Sequence, residues 1–328
     1  MSEIRLRIRC TDDVQAALTR GGAVVALESS VLAQGLLPPF NGEAADRMCR
    51  AVTDAGATPA ITAIDRGVPV LGLSPETLTR FLARDGVRKV SARDLGMAIA
   101  DGADGATTVA ATLALCALSG LEVFATGGIG GVHRDAPFDE SADLSQLART
   151  PAIVVCAGAK SILDLPATLE RLETLGVPVV GYRTNELPGF FTTGTGLMLS
   201  AVAEDVTAIV RAWRAHRALG LPGAMVVVQP PPRDYALLPE LVEDATAAAL
   251  HAAAEQGIRG AAVTPFLLAE VQRRTSGASV QANLALLANN ASLAGQIAVV
   301  LADSRRHEAG PDASGAAAGQ LPHGMQVQ

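Results

Sequence analysis

Residues 153–182, IVVCAGAKSILDLPATLERLETLGVPVVGY, decide the fold class of this chain. The apolar run 153–157 predicts a buried strand, the leucines of 165–175 recur at helical spacing, and 177–182 is again rich in valine. Strands that alternate with helices are typical of an α/β protein, in which a sheet lies between helix layers. We therefore expect a single large α/β/α layered domain with a mixed, mostly parallel central sheet.

The rest of the chain repeats this alternation. Further strands are predicted at 24–28, 58–64, 122–126 and 225–229. Further helices are predicted at 42–55, 75–84, 95–100, 107–118, 202–217, 239–256 and 282–302. From residue 304 the composition changes to Gly, Ala, His and Pro without periodicity, so we expect a domain over 1–303 and a disordered tail over 304–328.

Composition excludes several classes of protein. The net charge of −7 and the 3% aromatic content argue against a nucleic-acid phosphate track. No run approaches the ~18 apolar residues of a membrane-spanning helix, and the charged N-terminus is unlike a signal peptide. The four cysteines form no CxxC pair, which favours reduced thiols in a cytoplasmic protein.

Lysine is scarce in this chain. Of 26 basic residues, only Lys89 and Lys160 are lysines and the other 24 are arginines. A lysine can lose its proton and form a Schiff base with a carbonyl substrate, or hold a phosphate as a compact charge, whereas arginine stays protonated. Lys160 follows an apolar strand among small residues and suits the first role, and Lys89 suits the second. The alternative is that both are accidents of composition.

Other polar residues follow predicted strands, where open α/β sheets bind their ligands. Glu28 ends an apolar strand, where desolvation favours a general acid, although it could also cap neighbouring amides. The loop 125–133, ATGGIGGVH, could bring backbone amides close to a phosphate. Its spacing is not GxGxxG, which makes a nicotinamide-dependent oxidoreductase improbable as an alternative.

The segment that follows this loop carries carboxylates and hydroxyls. His133 ends the loop and could be a catalyst or a structural hydrogen-bonding group. Asp139, Ser141 and Asp143 lie in FDESADL, and such oxygens suit a hard cation such as magnesium or manganese. The alternative is that Ser141 or Asp143 caps a helix that begins near Leu144.

Ten segments in this order resemble one family. The chain is similar to the pseudouridine 5'-phosphate glycosidase family, also called indigoidine-synthase-A-like, over roughly residues 10–302. The segments that carry the resemblance are ALESSVLAQG, GATPAITAID, KVSARDL, GATTVAAT, FATGGIGGVH, FDESADL, VVCAGAKSILDLP, LETLGVPVVGY, TPFLLAEV and ANLALLANNA.

The resemblance implies an enzyme that reversibly cleaves the carbon–carbon glycosidic bond of pseudouridine 5'-phosphate, giving uracil and D-ribose 5-phosphate. In the family, the lysine that matches Lys160 holds the ring-opened sugar as a Schiff base, and the glutamate that matches Glu28 delivers protons. The position that matches Asp139 binds a divalent metal, usually Mn²⁺. The other matched positions contact substrate or lie around the site: Lys89, Val109, His133, Ser141, Ala142, Asp143 and Asn283.

The resemblance also implies a homotrimer. This sequence departs from the family at Ala33-Gln34-Gly35, where a serine and a histidine are usual before the glycine, and at Gln229, where an asparagine is usual. The loop between His133 and Asp139 is also shorter than in relatives. An alternative of another class is therefore a phosphosugar- or nucleotide-binding relative that has lost turnover.

Overall fold

The computed structural model describes residues 7–134 and 138–309. The strands are β1 (Arg9–Cys10), β2 (Val24–Glu28), β3 (Thr58–Asp65), β4 (Val68–Leu71), β5 (Arg88–Val90), β6 (Gly105–Thr107), β7 (Val123–Ala125), β8 (Val132–His133), β9 (Ile153–Cys156), β10 (Leu163–Asp164), β11 (Val179–Tyr182), β12 (Ala201–Ala203) and β13 (Met225–Val228). The α-helices are α1 (Asp12–Thr19), α2 (Phe40–Asp54), α3 (Pro75–Ala83), α4 (Leu95–Ala100), α5 (Val109–Ser119), α6 (Ala142–Leu147), α7 (Leu165–Thr174), α8 (Val206–Ala218), α9 (Pro239–Glu255), α10 (Val263–Arg274) and α11 (Ala278–Ala309).

The main sheet is mixed and mostly parallel, and helices cover both of its sides, as expected. Its strands follow the order β1-β4-β3-β2-β7-β9-β13-β11-β12. From β3 to β12 every neighbouring pair is parallel. These central strands are apolar and buried, because helices on both sides exclude water from a parallel sheet.

A smaller branch of the sheet runs in the opposite direction. β4 and β6 both pair with β3 antiparallel, and β5 pairs with β6 in parallel. The sequence patterns did not predict β5 and β6, because each has three residues and β5, with the sequence RKV, carries two charges. This branch brings Lys89 to the same region as the carboxyl ends of the central strands.

Helix α11 is the longest element and packs on α2, α8 and strands β2, β7 and β9. Its segment Ala278–His307 is long and apolar enough to cross a membrane by length and composition, which the sequence patterns had not indicated. Because 67% of its most apolar window is buried inside the domain, it is a core helix by its packing.

Two expectations change at the ends of elements. The helix expected over 282–302 extends through Ala309, so residues 304–309 are helical and do not belong to a disordered tail. Residues 310–328 lie outside the described residues, as do 135–137 of the loop expected to be short. The cysteines are all free thiols, and burial raises the pKa of Cys156 to about 11.

Candidate active site

A cleft of about 540 Å³ opens near the carboxyl ends of β2, β7 and β9. Every residue that the sequence analysis singled out as a site residue lines it. These residues are Glu28, Lys89, Val109, His133, Asp139, Ser141, Ala142, Asp143, Lys160 and Asn283. The chain therefore brings ten widely spaced positions into one cavity large enough for a nucleotide-sized ligand.

Glu28 is the last residue of β2 and is only 7% exposed. One carboxylate oxygen accepts a hydrogen bond from Ser30 Oγ at 2.5 Å, and the other accepts one from Thr126 Oγ1. The carboxylate therefore binds hydroxyls, not the backbone amides that the capping alternative requires. Because it is shielded and fixed in orientation, Glu28 is placed to transfer a proton to a molecule in the cleft.

Lys160 lies in the turn that follows β9. Its Nζ donates a hydrogen bond to the carbonyl oxygen of Gly128 at 2.7 Å, and its backbone amide donates to Ile129 O at 3.1 Å. Both acceptors belong to the glycine loop, so this loop fixes the side chain and the main chain of the lysine together. We call Glu28, Gly128 and Lys160 the amine site.

The sequence suggested that the backbone amides of the glycine loop could bind a phosphate. Two of these amides instead donate hydrogen bonds within the protein. Ile129 N donates to Gly158 O at 3.1 Å, and Gly130 N donates to Asp143 Oδ2 at 2.8 Å. A Cβ at Gly130 would overlap Ser141 and Asp143, so only glycine allows this close approach. These amides hold the loop in place and are not free for an anion.

Asp143 connects the glycine loop to the start of α5. Its second oxygen accepts a hydrogen bond from Ala110 N at 2.9 Å, and the residue is 6% exposed. Val109 and Ala142, the first residues of α5 and α6, lie on the same wall of the cleft. Ser141 Oγ accepts from Asp143 N at 3.2 Å, so the helix-capping alternative is confirmed for Ser141.

Lys89 and Arg93 form a second region of the cleft, together with Ser91. The Lys89 side chain is accessible from the cleft. Neighbouring protein atoms nevertheless replace part of the water that would surround a lysine on an open surface. This desolvation and the ammonium group of Lys160 lower the pKa of Lys89, while Glu28 and Asp143 oppose the shift. We call Lys89, Ser91 and Arg93 the cationic wall.

Asp139 and His133 lie at the edge of the cleft next to the undescribed residues 135–137. The backbone of His133 donates to Asp139 O at 3.0 Å, and within the described ranges neither side chain has a hydrogen-bond partner. Asp139 is exposed. No group of three or more His, Cys, Asp or Glu among the described residues could chelate a metal. The donor set fits an ion held by one carboxylate and completed by water, a mode that small divalent cations use.

Asn283 of α11 has a buried side-chain oxygen without a hydrogen-bond partner in the described structure. The side-chain oxygen of Gln34, which is also on the cleft wall, is likewise buried and unpaired. A buried acceptor without a partner is unfavourable until a donor reaches it. Gln34 Nε2 donates to Val87 O at 3.1 Å and so connects the turn after Glu28 to the start of β5.

Several residues that support the site were not predicted from the sequence. Asn290 Nδ2 donates to Thr126 O at 2.9 Å, and its Oδ1 accepts from Gln229 at 3.1 Å. Gln229, one of the departures from the family noted in the sequence, thus supports the glycine loop through Asn290. The polar pair Asn289-Asn290 inside an alanine-rich helix was the available signal. Phe190, which also lines the cleft, had no sequence signal.

The fold and the cleft together define a class of protein. It is a single α/β domain in which a lysine amine and a shielded carboxylate share one cavity with a cationic wall. The chain belongs to the indigoidine synthase A-like family, whose model matches residues 13–300. The family suggested by the ten sequence segments is therefore confirmed.

Curated relatives match almost the whole chain. A pseudouridine-5'-phosphate glycosidase of Gemmatimonas aurantiaca is 72% identical over 303 residues, covering 92% of this chain and 99% of that protein. A pseudouridine-5'-phosphate glycosidase of Chloroflexus aurantiacus is 53% identical over 302 residues, covering 90% and 99%.

Solved structures show the same architecture. The prealnumycin C-glycosynthase AlnA, in complex with ribulose 5-phosphate, superposes with a TM-score of 0.85 at 38% identity, covering 92% of this chain and 99% of that one. An indigoidine synthase A-like protein from Thermotoga maritima gives a TM-score of 0.84 at 35% identity, with the same coverage.

Proposed function

We propose that this protein is a pseudouridine-5'-phosphate glycosidase, which reversibly cleaves the carbon–carbon glycosidic bond of its substrate with water to give uracil and D-ribose 5-phosphate. The observation that carries the proposal is the amine site, in which Lys160 and Glu28 line one cleft. The 72% identity to a relative of that name, over 92% of this chain, supports the same conclusion.

The bond to be broken explains the need for a lysine. Ordinary glycosidases use two carboxylates, because an oxygen leaving group takes up the bonding electrons after protonation. Here the leaving atom is a carbon of uracil. Ring opening breaks the C1'–O4' bond, and O4' takes up a proton to become a hydroxyl while the Lys160 amine bonds to C1' and gives up a proton. The nitrogen lone pair then forms the C=N bond as the bond to uracil breaks. Arginine cannot form this Schiff base because its guanidinium stays protonated.

Glu28 completes the transfer. The electrons of the broken bond stay on the uracil carbon, which must receive a proton, and Glu28 is the shielded carboxylate of the amine site. Its hydrogen bonds from Ser30 and Thr126 fix the carboxylate in orientation. Water then adds to the imine, releasing ribose 5-phosphate and regenerating the free amine.

The cationic wall is the proposed phosphate site. Lys89 and Arg93 lie on it with the hydroxyl of Ser91, and both side chains are accessible from the cleft. An ammonium and a guanidinium together bind a phosphate dianion with charge-assisted hydrogen bonds. Their placement beside Lys160 agrees with the Coulombic effect of Lys160 on Lys89. The phosphate would then orient C1' toward the amine.

We extend the proposal to one Mn²⁺ ion per subunit, held by Asp139. The open carboxylate of Asp139 in the cleft supports this, with water supplying the remaining ligands. The ion would supply positive charge next to the bound phosphosugar. Removal of the metal by a chelator is then expected to weaken substrate binding without unfolding the domain, because Asp139 is exposed.

The expected partner is a small-molecule substrate. The family resemblance supports a homotrimer, and the four free cysteines support a cytoplasmic location. Light scattering of the purified protein tests the oligomeric state directly. A mass of one 33.5 kDa chain would contradict the trimer.

Schiff-base trapping tests the proposed chemistry. The protein is incubated with ribose 5-phosphate and reduced with borohydride, and its peptides are then analysed by mass spectrometry. The chain has only two lysines, so an adduct on Lys160 and none on Lys89 would locate the imine with an internal control. Release of uracil from pseudouridine 5'-phosphate is followed in parallel.

The outcomes separate the candidate functions. An adduct together with uracil release supports the glycosidase. Binding of ribose 5-phosphate without adduct or release would instead support the alternative, a phosphosugar-binding relative without turnover.

A further inference from the structure

The backbone of Phe190 is in an unfavourable conformation at the wall of the cleft. Its φ angle is +67°, in the left-handed region that glycine favours, and the residue is only 3% exposed. A bulky residue keeps such a conformation only where the surrounding structure holds it, and such positions cluster at functional sites. Phe190 N donates to Ala157 O at 3.1 Å, which fixes it beside the turn that carries Lys160.

The ring of Phe190 packs directly on Gly128. A Cβ at Gly128 would lie 2.6 Å from Phe190 Cδ2 and 2.8 Å from Cε2, so the ring occupies the space that any other side chain would need. The same Cβ position would lie 3.0 Å from Gly158 O. Gly128 is therefore packed closely against both the Phe190 ring and the backbone of the turn that carries Lys160.

The carbonyl of this confined glycine is the acceptor for Lys160 Nζ, at 2.7 Å. An amine that donates one N–H to a fixed carbonyl has a defined orientation, and its lone pair points away from that carbonyl. A nucleophile needs this orientation to reach the substrate carbon. Phe190 and Gly128 both line the cleft, so the contact between them lies at the wall of the substrate space.

We infer that Phe190 is a positioning residue for Lys160: its ring fixes Gly128, and the Gly128 carbonyl orients the amine toward the cleft. The inference deepens the proposed function and rests on it only for the catalytic measurement. Phe191 provides a matched control, since it is adjacent and equally buried, its ring centroid lies 4.5 Å from that of Phe190, and it does not line the cleft.

The first test does not depend on turnover. Protein labelled with ¹³C at lysine Cε gives two side-chain NMR signals, one from each lysine. Phe190→Leu is expected to shift the Lys160 signal, while the Lys89 signal stays. Phe191→Leu is expected to change neither. An unchanged Lys160 signal in Phe190→Leu, or the same change in Phe191→Leu, overturns the inference whatever the activity of the protein.

The second test measures imine formation. Phe190→Leu is expected to lower the rate of borohydride-trapped adduct formation with ribose 5-phosphate about tenfold or more, with little change in ribose 5-phosphate affinity. Absence of the adduct in the unmodified protein would count against the proposed function and leave the NMR test to decide. If the unmodified protein forms the adduct and Phe190→Leu forms it at the same rate, only the positioning role of Phe190 is overturned.

A third test approaches the same contact from the glycine. Gly128→Ala is expected to reduce trapping because its Cβ collides with the ring. Adding Phe190→Ala removes that collision, so the double variant is expected to regain part of the trapping rate lost in Gly128→Ala. Independent, additive losses would contradict a direct contact between ring and glycine as the cause.

Discussion

The amine site and the cationic wall differ in how the protein itself holds their charged groups. At the amine site, Glu28 accepts two side-chain hydrogen bonds and Lys160 donates to a fixed carbonyl. On the cationic wall, Lys89 is exposed to the cleft, and the Arg93 side chain is 85% exposed and pairs with Asp94 at 3.5 Å. The protein thus fixes the groups proposed to react and leaves open those proposed to bind phosphate.

The difference has a physical reason. Bond-breaking requires a defined geometry before the substrate arrives, which the glycine loop and its supporting residues supply. A phosphate dianion is a strong acceptor that can organise mobile cations when it binds. Substitutions at the two regions should therefore differ in kind: those at the amine site should change kcat, and those on the cationic wall should change substrate affinity.

The largest effect is expected for Lys160→Arg. Charge and approximate size are kept, but a guanidinium cannot form the imine, so cleavage should fall by on the order of 10⁴-fold or more. Uracil release measures the rate, and circular dichroism checks that the fold remains. Substantial cleavage by Lys160→Arg would contradict the Schiff base.

Glu28→Gln should have the next largest effect. The amide keeps the size of the side chain and can accept from one of the two hydroxyls, Ser30 or Thr126, while donating to the other. It cannot deliver a proton, so kcat should fall about 10²- to 10⁴-fold. Imine formation with ribose 5-phosphate needs no protonation of uracil. Borohydride trapping should therefore persist while uracil release is lost.

The separation of these two readouts identifies the role of Glu28. Loss of trapping in parallel with uracil release would mean that Glu28 serves imine formation, and not the leaving carbon. Ser145→Ala, an exposed substitution on α6 outside the cleft, serves as a control that should change neither rate.

Lys89 should show a pH-dependent effect on affinity. Its pKa is lowered from 10.5, so the ammonium loses its proton at a lower pH than an ordinary lysine. The phosphate of ribose 5-phosphate stays dianionic above its pKa of about 6. Affinity for ribose 5-phosphate should therefore be greatest below the lowered pKa and fall as the pH rises through it toward 10.5.

Two variants test this origin of the pH dependence. Lys89→Met should weaken binding about tenfold below the lowered pKa of Lys89, because a charge-assisted hydrogen bond is lost, and by less as the pH rises through that pKa. Lys89→Arg keeps its charge and should remove the decline with pH, although its geometry differs. Calorimetric titration with ribose 5-phosphate measures both, and an unchanged decline in Lys89→Arg would exclude Lys89 as its source.

Much of the amine site could be predicted from the sequence, and less of the cationic wall. The strand 24–28 and the helix 95–100 match the structure, and Glu28 and Lys160 follow apolar strands whose carboxyl ends meet at one edge. Lys89 reaches the cleft through β5, whose short charged sequence carries no strand signal. The contact of Phe190 with Gly128 joins distant segments, and no periodicity encodes such a contact.

The smallest effect is expected for a substitution of Arg93. It tests whether the high exposure of the Arg93 side chain limits its contribution to phosphate affinity. Arg93→Gln removes a mobile charge that is largely in water, so affinity for ribose 5-phosphate should fall only about two- to fivefold and less at high salt. Arg88→Gln is the matched control, because Arg88 is a neighbouring arginine that pairs with Asp101 at 2.6 Å and does not line the cleft. The same loss in both variants would reflect net charge and not contact with phosphate. A loss in Arg93→Gln as large as in Lys89→Met would show that the phosphate orders Arg93 fully, and that the cationic wall becomes as well defined as the amine site once the ligand binds.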